Sequence, residues 1–173
     1  MNLQYPIGEF QHPGKITAEH VNGWINDIKN LPNRLQQLVG TLSEEQLDMA
    51  YRDGGWSVRQ VVHHIADSHM NAYIRFKWAL TEDQPVIKAY HEAKWAELPD
   101  SNLPIGVSIS LISALHERWT YLLENLDEDN LKIIFIHPES GEVTLEENIG
   151  RYAWHGEHHF AHIQALCCRM DWL

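Results

Sequence analysis

The segment SVRQVVHHIADSHMNAYIRFK, residues 57–77, decides the fold class. Ser57 and Gln60 form a capping-box pattern, in which each side chain can bond to the backbone N–H of the other residue, so a helix is expected to begin there. Apolar residues then recur at helical spacing and give this helix one buried stripe. They are Val58, Val61, Val62, Ile65, Ala72 and Phe76. The pattern predicts a long amphipathic helix that ends near Thr81, before Pro85.

Three further segments have the same helical character. The first runs from Thr17 to Val39, and Pro32 is expected to break or kink it because proline has no backbone N–H. The second runs from Ser108 to Leu126, and its predicted buried side consists of Leu111, Leu115, Trp119 and Leu122. The third begins after a capping box formed by Thr144 and Glu147 and continues to about Met170.

Two other segments complete the predicted architecture. Residues 82–106 contain three prolines and mixed polarity, which indicates a long connection of the kind that is often functional. Residues 132–136 and 142–144 are rich in β-branched residues around a Pro-Glu-Ser-Gly turn, which predicts a small β-hairpin. The sequence therefore predicts one all-α domain over residues 1–173, a four-helix bundle with long crossover connections and a β-hairpin before the last helix.

Composition excludes several classes of partner. The formal net charge is −11 with no compensating basic stripe, so nucleic acid is not expected as a partner. No stretch approaches the roughly 20 consecutive apolar residues of a membrane span, so no membrane association is expected. The first residues, MNLQYPIGEF, lack the features of a signal peptide, and we expect a cytoplasmic protein. The adjacent Cys167 and Cys168 are expected to be a reduced pair rather than a disulfide.

The chain has 12 histidines, and four of them lie close together near its end. On a helical wheel, His155, His159 and His162 lie together beside an apolar stripe, which consists of Ile149, Ala153, Gly156, Phe160, Ile163 and Cys167. His155 and His159 are one turn apart, so their imidazoles can converge on one metal ion. His162 is expected to be a third ligand, a hydrogen-bond partner of a ligand or a substrate contact, and His158 is expected at the surface. The alternative is a solvated histidine-rich face with no ion.

A further ligand would have to come from another helix. In the segment quoted first, His69 lies within the apolar stripe, whereas His63 and His64 lie on opposite sides of it. Periodicity favours His64 over His63 only slightly, and both remain open at this point. Other catalytic patterns are missing: HExxH, CxxC, the P-loop, GxGxxG and the GxSxG elbow of serine hydrolases do not occur.

Two stretches carry a resemblance to a known family. GGWSVRQVVHHIADSHMNAYIRFK at 54–77 and YAWHGEHHFAHI at 152–163 resemble the signatures of the DinB/YfiT-like superfamily, and YPIGEF near the start and YRDGGW at 51–56 resemble its YfiT branch. The resemblance implies a homodimeric four-helix bundle that holds one divalent ion per subunit, with zinc expected and nickel as the alternative. Carried over by position, the implied metal ligands are His64, His155 and His159.

The same resemblance implies a metal-dependent hydrolase, a label that reflects the chemistry of the site more than identified substrates. Other members of the same superfamily are thiol transferases that use bacillithiol, mycothiol or glutathione. Three histidines leave a coordination position open either for water or for a thiol. Three hypotheses follow: a hydrolase of a small-molecule substrate, an S-transferase that joins a low-molecular-weight thiol to an electrophile, and a non-catalytic metal-binding stress-response protein.

No catalytic acid or base can be assigned from the sequence. Asp67 and Glu157 are the acidic residues nearest to the histidines, and each is expected to be solvated or bonded to a metal ligand. Trp56, Tyr152 and Trp154 are expected either to pack in the core or to line a pocket.

Overall fold

The computed structural model describes residues 2–173, and four long helices dominate it. In chain order the elements are α1 (Ala18–Val39), α2 (Glu44–Leu47), α3 (Val58–Ala79), α4 (Glu92–Trp95), α5 (Gly106–Glu124), α6 (Glu128–Leu131), β1 (Ile134–His137), β2 (Gly141–Thr144) and α7 (Leu145–Arg169). A short 3-10 turn, Pro99–Asn102, precedes α5. The two strands pair antiparallel, with Phe135 opposite Val143. The predicted bundle and hairpin are confirmed.

The four long helices are not arranged in chain order around the bundle. Helix α1 packs against α5 and α7, and α3 packs against the same two helices. Helices α1 and α3, although consecutive among the long helices, therefore lie on opposite corners. The connection between α3 and α5 spans residues 80–105 and includes α4. The predicted crossover topology is confirmed.

The beginnings of α3 and α7 are set by their capping residues. The Ser57 hydroxyl accepts a hydrogen bond from the Gln60 backbone, and the Gln60 amide oxygen accepts one from the Ser57 backbone N–H, so the predicted capping box is present. The Thr144 hydroxyl accepts from the Glu147 backbone in the same way. The second half of that predicted box is wrong, because the Glu147 carboxylate is bonded to Arg151 one turn further along.

Helix α1 continues through Pro32, so of the two predicted effects, a break or a kink, the break is wrong. Proline has no backbone N–H, and the carbonyl of Ile28, four residues earlier, therefore has no donor within the helix. The ring of His116 on α5 supplies a donor instead, with its Nδ1 at 2.6 Å from the Ile28 oxygen. An interior proline is tolerated here because a neighbouring helix satisfies the carbonyl that it leaves without a partner.

The buried side of α5 differs from the predicted one. Leu111 is 43% exposed, and Leu115 and Leu122 are only partly buried. The buried positions are Ser108, Ile109, Ile112, His116, Trp119, Thr120 and Leu123. Helix α5 faces both α1 and α3, and three of its seven buried side chains, Ser108, His116 and Thr120, are polar. A pattern based on apolar residues alone does not include these three positions and therefore predicts a different buried side.

The bundle core consists of two apolar clusters, one at each end. Ile65, Ile112 and Phe160 belong to one, and Phe76 and Trp119 belong to the other. Between them lie two fully buried histidines, His69 on α3 and His116 on α5. At the same level Gly156 on α7 lets α1 approach closely, since a Cβ there would lie 2.6 Å from the Cδ2 atom of Leu31. A polar layer therefore crosses the middle of the bundle.

Neither cysteine is bonded to another. Cys167 is buried, Cys168 is exposed, and both are free thiols. Among the helices of residues 2–173, none has the length and apolar content that crossing a bilayer requires.

Candidate metal centre

Three histidines from two helices meet at one end of the polar layer. His64 comes from α3, and His155 and His159 come from α7, one turn apart. One ring nitrogen of each lies within 4.8 Å of the others. Within residues 2–173 this is the one group of three or more histidine, cysteine or acidic side chains with ligand atoms so close together. These are the three residues that the family resemblance singled out.

His63, the alternative to His64, points elsewhere. Its Nδ1 lies 2.7 Å from the Ser108 hydroxyl, and its Nε2 lies 2.9 Å from the Leu103 carbonyl oxygen. Both ring nitrogens are therefore engaged with the connection into α5. The structure brings His64, and not His63, to the two histidines of α7.

The separation of two of the three rings suits a tetrahedral ion. The Nε2 atoms of His64 and His155 are 3.2 Å apart. Two ligand nitrogens on tetrahedral zinc, each about 2.0–2.1 Å from the metal, are separated by about 3.3 Å. The ring centroids of His159 lie 4.7 Å from those of His64 and 4.5 Å from those of His155. Three imidazole nitrogens are a donor set typical of zinc, copper, iron and nickel sites.

Burial keeps these histidines in the form that binds metal. Desolvation lowers the pKa of His64 to about 4. Burial, and to a lesser extent the neighbouring histidines, lowers the pKa values of His155 and His159 well below 6.5. All three rings are therefore neutral at pH 7, with one nitrogen lone pair each available to a cation.

A chain of hydrogen bonds runs from His155 through the polar layer to α1. The His155 Nδ1 lies 3.2 Å from His69 Nε2, the His69 Nδ1 lies 2.9 Å from His116 Nε2, and the His116 Nδ1 lies 2.6 Å from the Ile28 oxygen. The carbonyl can only accept, so His116 carries its proton on Nδ1. Each neutral ring then donates from Nδ1 and accepts at Nε2. The chain thereby leaves the lone pair of His155 on Nε2, the atom that faces His64.

His162 acts on His159 in a similar way. Its Nε2 donates to the Gln4 carbonyl oxygen at 3.0 Å, so its Nδ1 carries the lone pair. That Nδ1 lies 3.4 Å from the Nδ1 of His159. His159 can therefore donate from Nδ1 and keep its own lone pair on Nε2. Of the three roles expected for His162, the structure favours that of a hydrogen-bond partner.

The three histidines form part of the wall of an open cleft with a volume of about 580 Å³. The long connection between α3 and α5 contributes Ala89 to Glu92, and the hairpin contributes His137 and Glu139. Trp56 and Trp154 both line the cleft, and Trp56 also packs against the apolar core. Part of the long connection over residues 82–106 therefore lies at the cleft, and its functional role stays a prediction.

The prediction that His158 is a surface residue is wrong. Its side chain is 7% exposed and lies between the rings of Trp154 and Tyr5, whose centroids are 4.6 and 5.6 Å away. A wheel drawn for α7 alone cannot show that residues near position 5 cover this face. His158 lines the cleft together with Tyr5.

The two acidic residues near the histidines in sequence do not line the cleft. Glu157 is bonded to Arg34 of α1 through both carboxylate oxygens. Asp67 is half buried, and burial together with Asp100 raises its pKa to about 6. Tyr152 lies in an adjoining cleft and accepts a hydrogen bond from Arg75. This arrangement identifies neither Asp67 nor Glu157 as a catalytic acid or base.

His116 is the residue that the sequence interpretation missed. A signal was present, since His116 continues the spacing of Ile109, Ile112, Trp119 and Leu123 along α5. A histidine within an apolar stripe is buried, and a buried histidine needs hydrogen-bond partners. His69 has the same kind of position on α3, and the two rings stack with their centroids 4.9 Å apart.

The lowered pKa values predict how the metal-free protein responds to acid. His116, like His64, has a pKa of about 4 in the folded state against 6.5 in the unfolded chain. The unfolded state therefore binds more protons between those values, and stability falls as the pH falls from about 6.5 towards 4. Each such histidine contributes about 1.4 kcal/mol per pH unit within that window. Below pH 6 the raised pKa of Asp67 has the opposite effect, because the folded state then binds the additional proton and is stabilised as the pH falls. The lowered pKa values of His69, His155 and His159 destabilise the folded state by more than this gain.

Urea unfolding at pH 7.0, 6.0 and 5.0, with a chelator present, measures this dependence. We expect the free energy of unfolding to decrease steadily over that range, and Asp67→Asn to steepen the decrease. A metal-free protein that is equally stable at pH 7.0 and pH 5.0 would contradict the prediction.

Known proteins resemble this chain over nearly its whole length. A family model described as DinB superfamily matches residues 28–163. A protein of Oceanobacillus iheyensis is 59% identical over 172 residues, which cover 99% of this chain and 100% of that protein. One from Bacillus mycoides is 55% identical over 171 residues, 99% of each chain. Both carry the name "Putative metal-dependent hydrolase".

A solved structure is similar over the whole chain. YfiT from Bacillus subtilis matches with a TM-score of 0.96 and 48% sequence identity, and the match covers 100% of both chains. It is described as a probable metal-dependent hydrolase with an unusual four-helix bundle topology.

Proposed function

The chain belongs to the DinB superfamily, and on that premise we propose that it is a metal-dependent hydrolase of a small molecule. The observation that carries the proposal is the convergence of His64, His155 and His159, with one nitrogen of each within 4.8 Å of the others, on the wall of an open cleft. The names of the relatives and of the similar structure support the same reaction class.

These three histidines are the proposed ligands of one divalent ion. The chemistry that such an ion would supply beside the cleft is polarisation of a substrate and activation of water near neutral pH, as is typical of zinc sites with three protein ligands. The surrounding protein residues would keep the three rings neutral and correctly oriented. Burial keeps the three rings neutral, and hydrogen bonds from Nδ1 of His155 to His69 and from Nδ1 of His159 to His162 orient two of them.

We propose zinc as the ion, with nickel as the alternative. Both metals accept imidazole nitrogen, and the 3.2 Å separation of the two Nε2 atoms suits tetrahedral zinc. The donor set contains no thiolate, which would have favoured copper(I) or an iron–sulfur cluster.

The proposed setting is a cytoplasmic homodimer. Free thiols at Cys167 and Cys168 suit a reducing compartment. For the dimer, α5 presents Val107, Leu111 and Tyr121 to solvent, at 55%, 43% and 71% exposure. These three lie on one side of the helix, and a second copy of the chain is the proposed partner for that side.

Activity assays with and without a thiol test the proposed reaction. We expect the metal-loaded protein to hydrolyse simple ester or amide substrates without any added thiol, and both the metal-free protein and His64→Ala to be inactive. Turnover that requires a low-molecular-weight thiol and an electrophile would replace the hydrolase by an S-transferase. Tight metal binding without turnover in either assay would indicate a non-catalytic metal-binding protein.

A further inference from the structure

A second cleft adjoins the one that contains the three histidines. It lies between the β-hairpin and α7, has a volume of about 370 Å³, and shares five lining residues with the first cleft. These are Arg75, His137, Glu139, Trp154 and His155. Because His155 belongs to both, a molecule whose reacting group lies at the histidines can extend into this second space.

Arg75 is a buried cation in this cleft without an acidic partner. Its side chain is 7% exposed, and its one hydrogen bond within residues 2–173 is from Nη1 to the Tyr152 hydroxyl at 3.0 Å. A guanidinium has five N–H donors, and buried charges are normally paired. Arg59 is equally buried and shows the usual solution, since it is paired with Glu44 and Asp48. Arg75 has no carboxylate within ion-pair distance in the described part of the chain.

Asn148 provides a second, independent observation. It is 3% exposed, lines the same cleft, and its Nδ2 has no hydrogen-bond partner in the structure. Buried side-chain amides almost always have such a partner. Arg151 also lines the cleft, although its guanidinium is bonded to Glu147. The cleft therefore brings together donors that lack acceptors, with one exposed carboxylate, that of Glu139.

We propose that this cleft binds an oxyanion of the substrate, a carboxylate or a phosphate, through Arg75 and Asn148. This rests on the proposed function, because the anionic group is assigned to the molecule that reacts at His64, His155 and His159. A planar guanidinium binds both kinds of oxyanion through two parallel N–H···O bonds. Asn148 adds one neutral donor. The substrate class is therefore a small acid with its scissile bond at one end and its acidic group at the other.

Anion titration of the metal-free protein tests this inference separately from hydrolysis. The probes are inorganic phosphate and acetate, added at constant ionic strength and pH 7.5 while the side-chain N–H signals of Arg75 and Asn148 are followed by NMR. We expect saturable shifts of both signals with at least one probe. A response to phosphate alone or to acetate alone identifies which oxyanion the cleft accepts.

Variants assign the binding to particular residues. Arg75→Gln should weaken binding about 10- to 100-fold, the range for loss of a charge-assisted hydrogen-bond pair. Asn148→Leu should weaken it about five-fold, as for one neutral hydrogen bond. The matched control is Arg118→Gln, which makes the same charge change at an exposed residue of α5 and should leave binding within two-fold.

Two results would overturn the inference: shifts that do not saturate with either probe, or anion affinity that is unchanged in both Arg75→Gln and Asn148→Leu. If Arg75→Gln does not fold, the anion affinity of Asn148→Leu alone tests the inference. His64→Ala should bind the probes as the parent protein does, because His64 does not line the second cleft. Anion binding without hydrolysis would therefore contradict the proposed function but not the oxyanion site. Hydrolysis without anion binding would contradict the oxyanion site but not the proposed function.

Discussion

Replacing His64 with alanine is expected to abolish tight binding of a divalent metal ion. The change leaves only His155 and His159, two imidazoles from one turn of α7, and removes the ligand from α3. Changes to residues that merely hydrogen-bond to a ligand cost about 10- to 100-fold in metal affinity. Loss of a ligand should cost more than that. The measurement is elemental analysis after the protein has been stripped, loaded with one equivalent of zinc or nickel, and dialysed.

The matched control is His63→Ala, at the adjacent position of the same helix. His63 is buried to the same extent as His64, at 7% exposure, but its ring nitrogens are engaged with Ser108 and Leu103. It should keep about one metal ion per chain, even if the variant is less stable. A His64→Ala protein with full metal content would show that the assigned ligand is wrong.

Stability provides a second readout for the same pair of variants. A ligand that binds only the folded state stabilises it by about 2.7 kcal/mol at a concentration 100 times its Kd. Metal should therefore raise the unfolding midpoint of the parent protein and of His63→Ala, and should leave that of His64→Ala where it is.

Much of the fold and of the candidate centre was accessible from local sequence signals. The capping box at Ser57 and the apolar stripe after it locate α3, and His155 and His159 are one turn apart on any helix that contains both. These signals are local because the hydrogen bonds and side-chain pairs of a helix join residues only three or four positions apart. The choice between His63 and His64 was different. A helical wheel of α3 favours His64 only slightly, because it does not show on which side of α3 the partner helix α7 packs.

Several features that could not be predicted depend on contacts between distant parts of the chain. Pro32 is compatible with a continuous α1 only because His116, 84 positions later, reaches the carbonyl of Ile28. His158 is covered partly by Tyr5, which lies 153 positions earlier in the chain, with the two ring centroids 5.6 Å apart. Periodicity treats each helix separately, so it cannot show which residues another segment will cover or satisfy.

Interrupting the histidine chain at His116 is the second change with a large expected effect. In His116→Phe the Nδ1 of His69 loses its acceptor, and His69 can then carry its proton on Nε2. In that state His69 donates to His155, whose own proton must move to the Nε2 that faces His64. The protonated nitrogen cannot bind a cation. We therefore expect metal affinity to fall about 10- to 100-fold, measured by competition with a chelator.

Trp119→Phe is the control for this change. Trp119 lies on α5 one turn after His116, is fully buried, and packs edge-on against both His69 and His116. Its Nε1 has no hydrogen-bond partner in the structure, so it takes no part in the chain of protons. The substitution should lower stability through lost packing and leave metal affinity within about three-fold. Equal losses of affinity in the two variants would mean that His116 acts through packing alone.

The protonated nitrogen of His155 can also be observed directly in the metal-free protein. Two-bond ¹H–¹⁵N correlation spectra distinguish a neutral ring with its proton on Nδ1 from one with its proton on Nε2. The parent protein should show the proton of His155 on Nδ1, and His116→Phe should show a mixture of both forms. A single, unchanged form of His155 in the variant would contradict the proposed role of the chain.

Pro32→Ala examines the far end of the same chain. Alanine restores a backbone N–H that can donate to the Ile28 carbonyl and so compete with His116. The gain from removing an interior proline, about 3 kcal/mol, is offset by the loss of buried ring methylenes at about 0.8 kcal/mol each and by greater freedom of the unfolded chain. A carbonyl oxygen has two lone pairs, so His116 can keep a weakened bond. Metal affinity should therefore fall by less than in His116→Phe while stability changes little, which separates control of the ring proton from stabilisation of the fold.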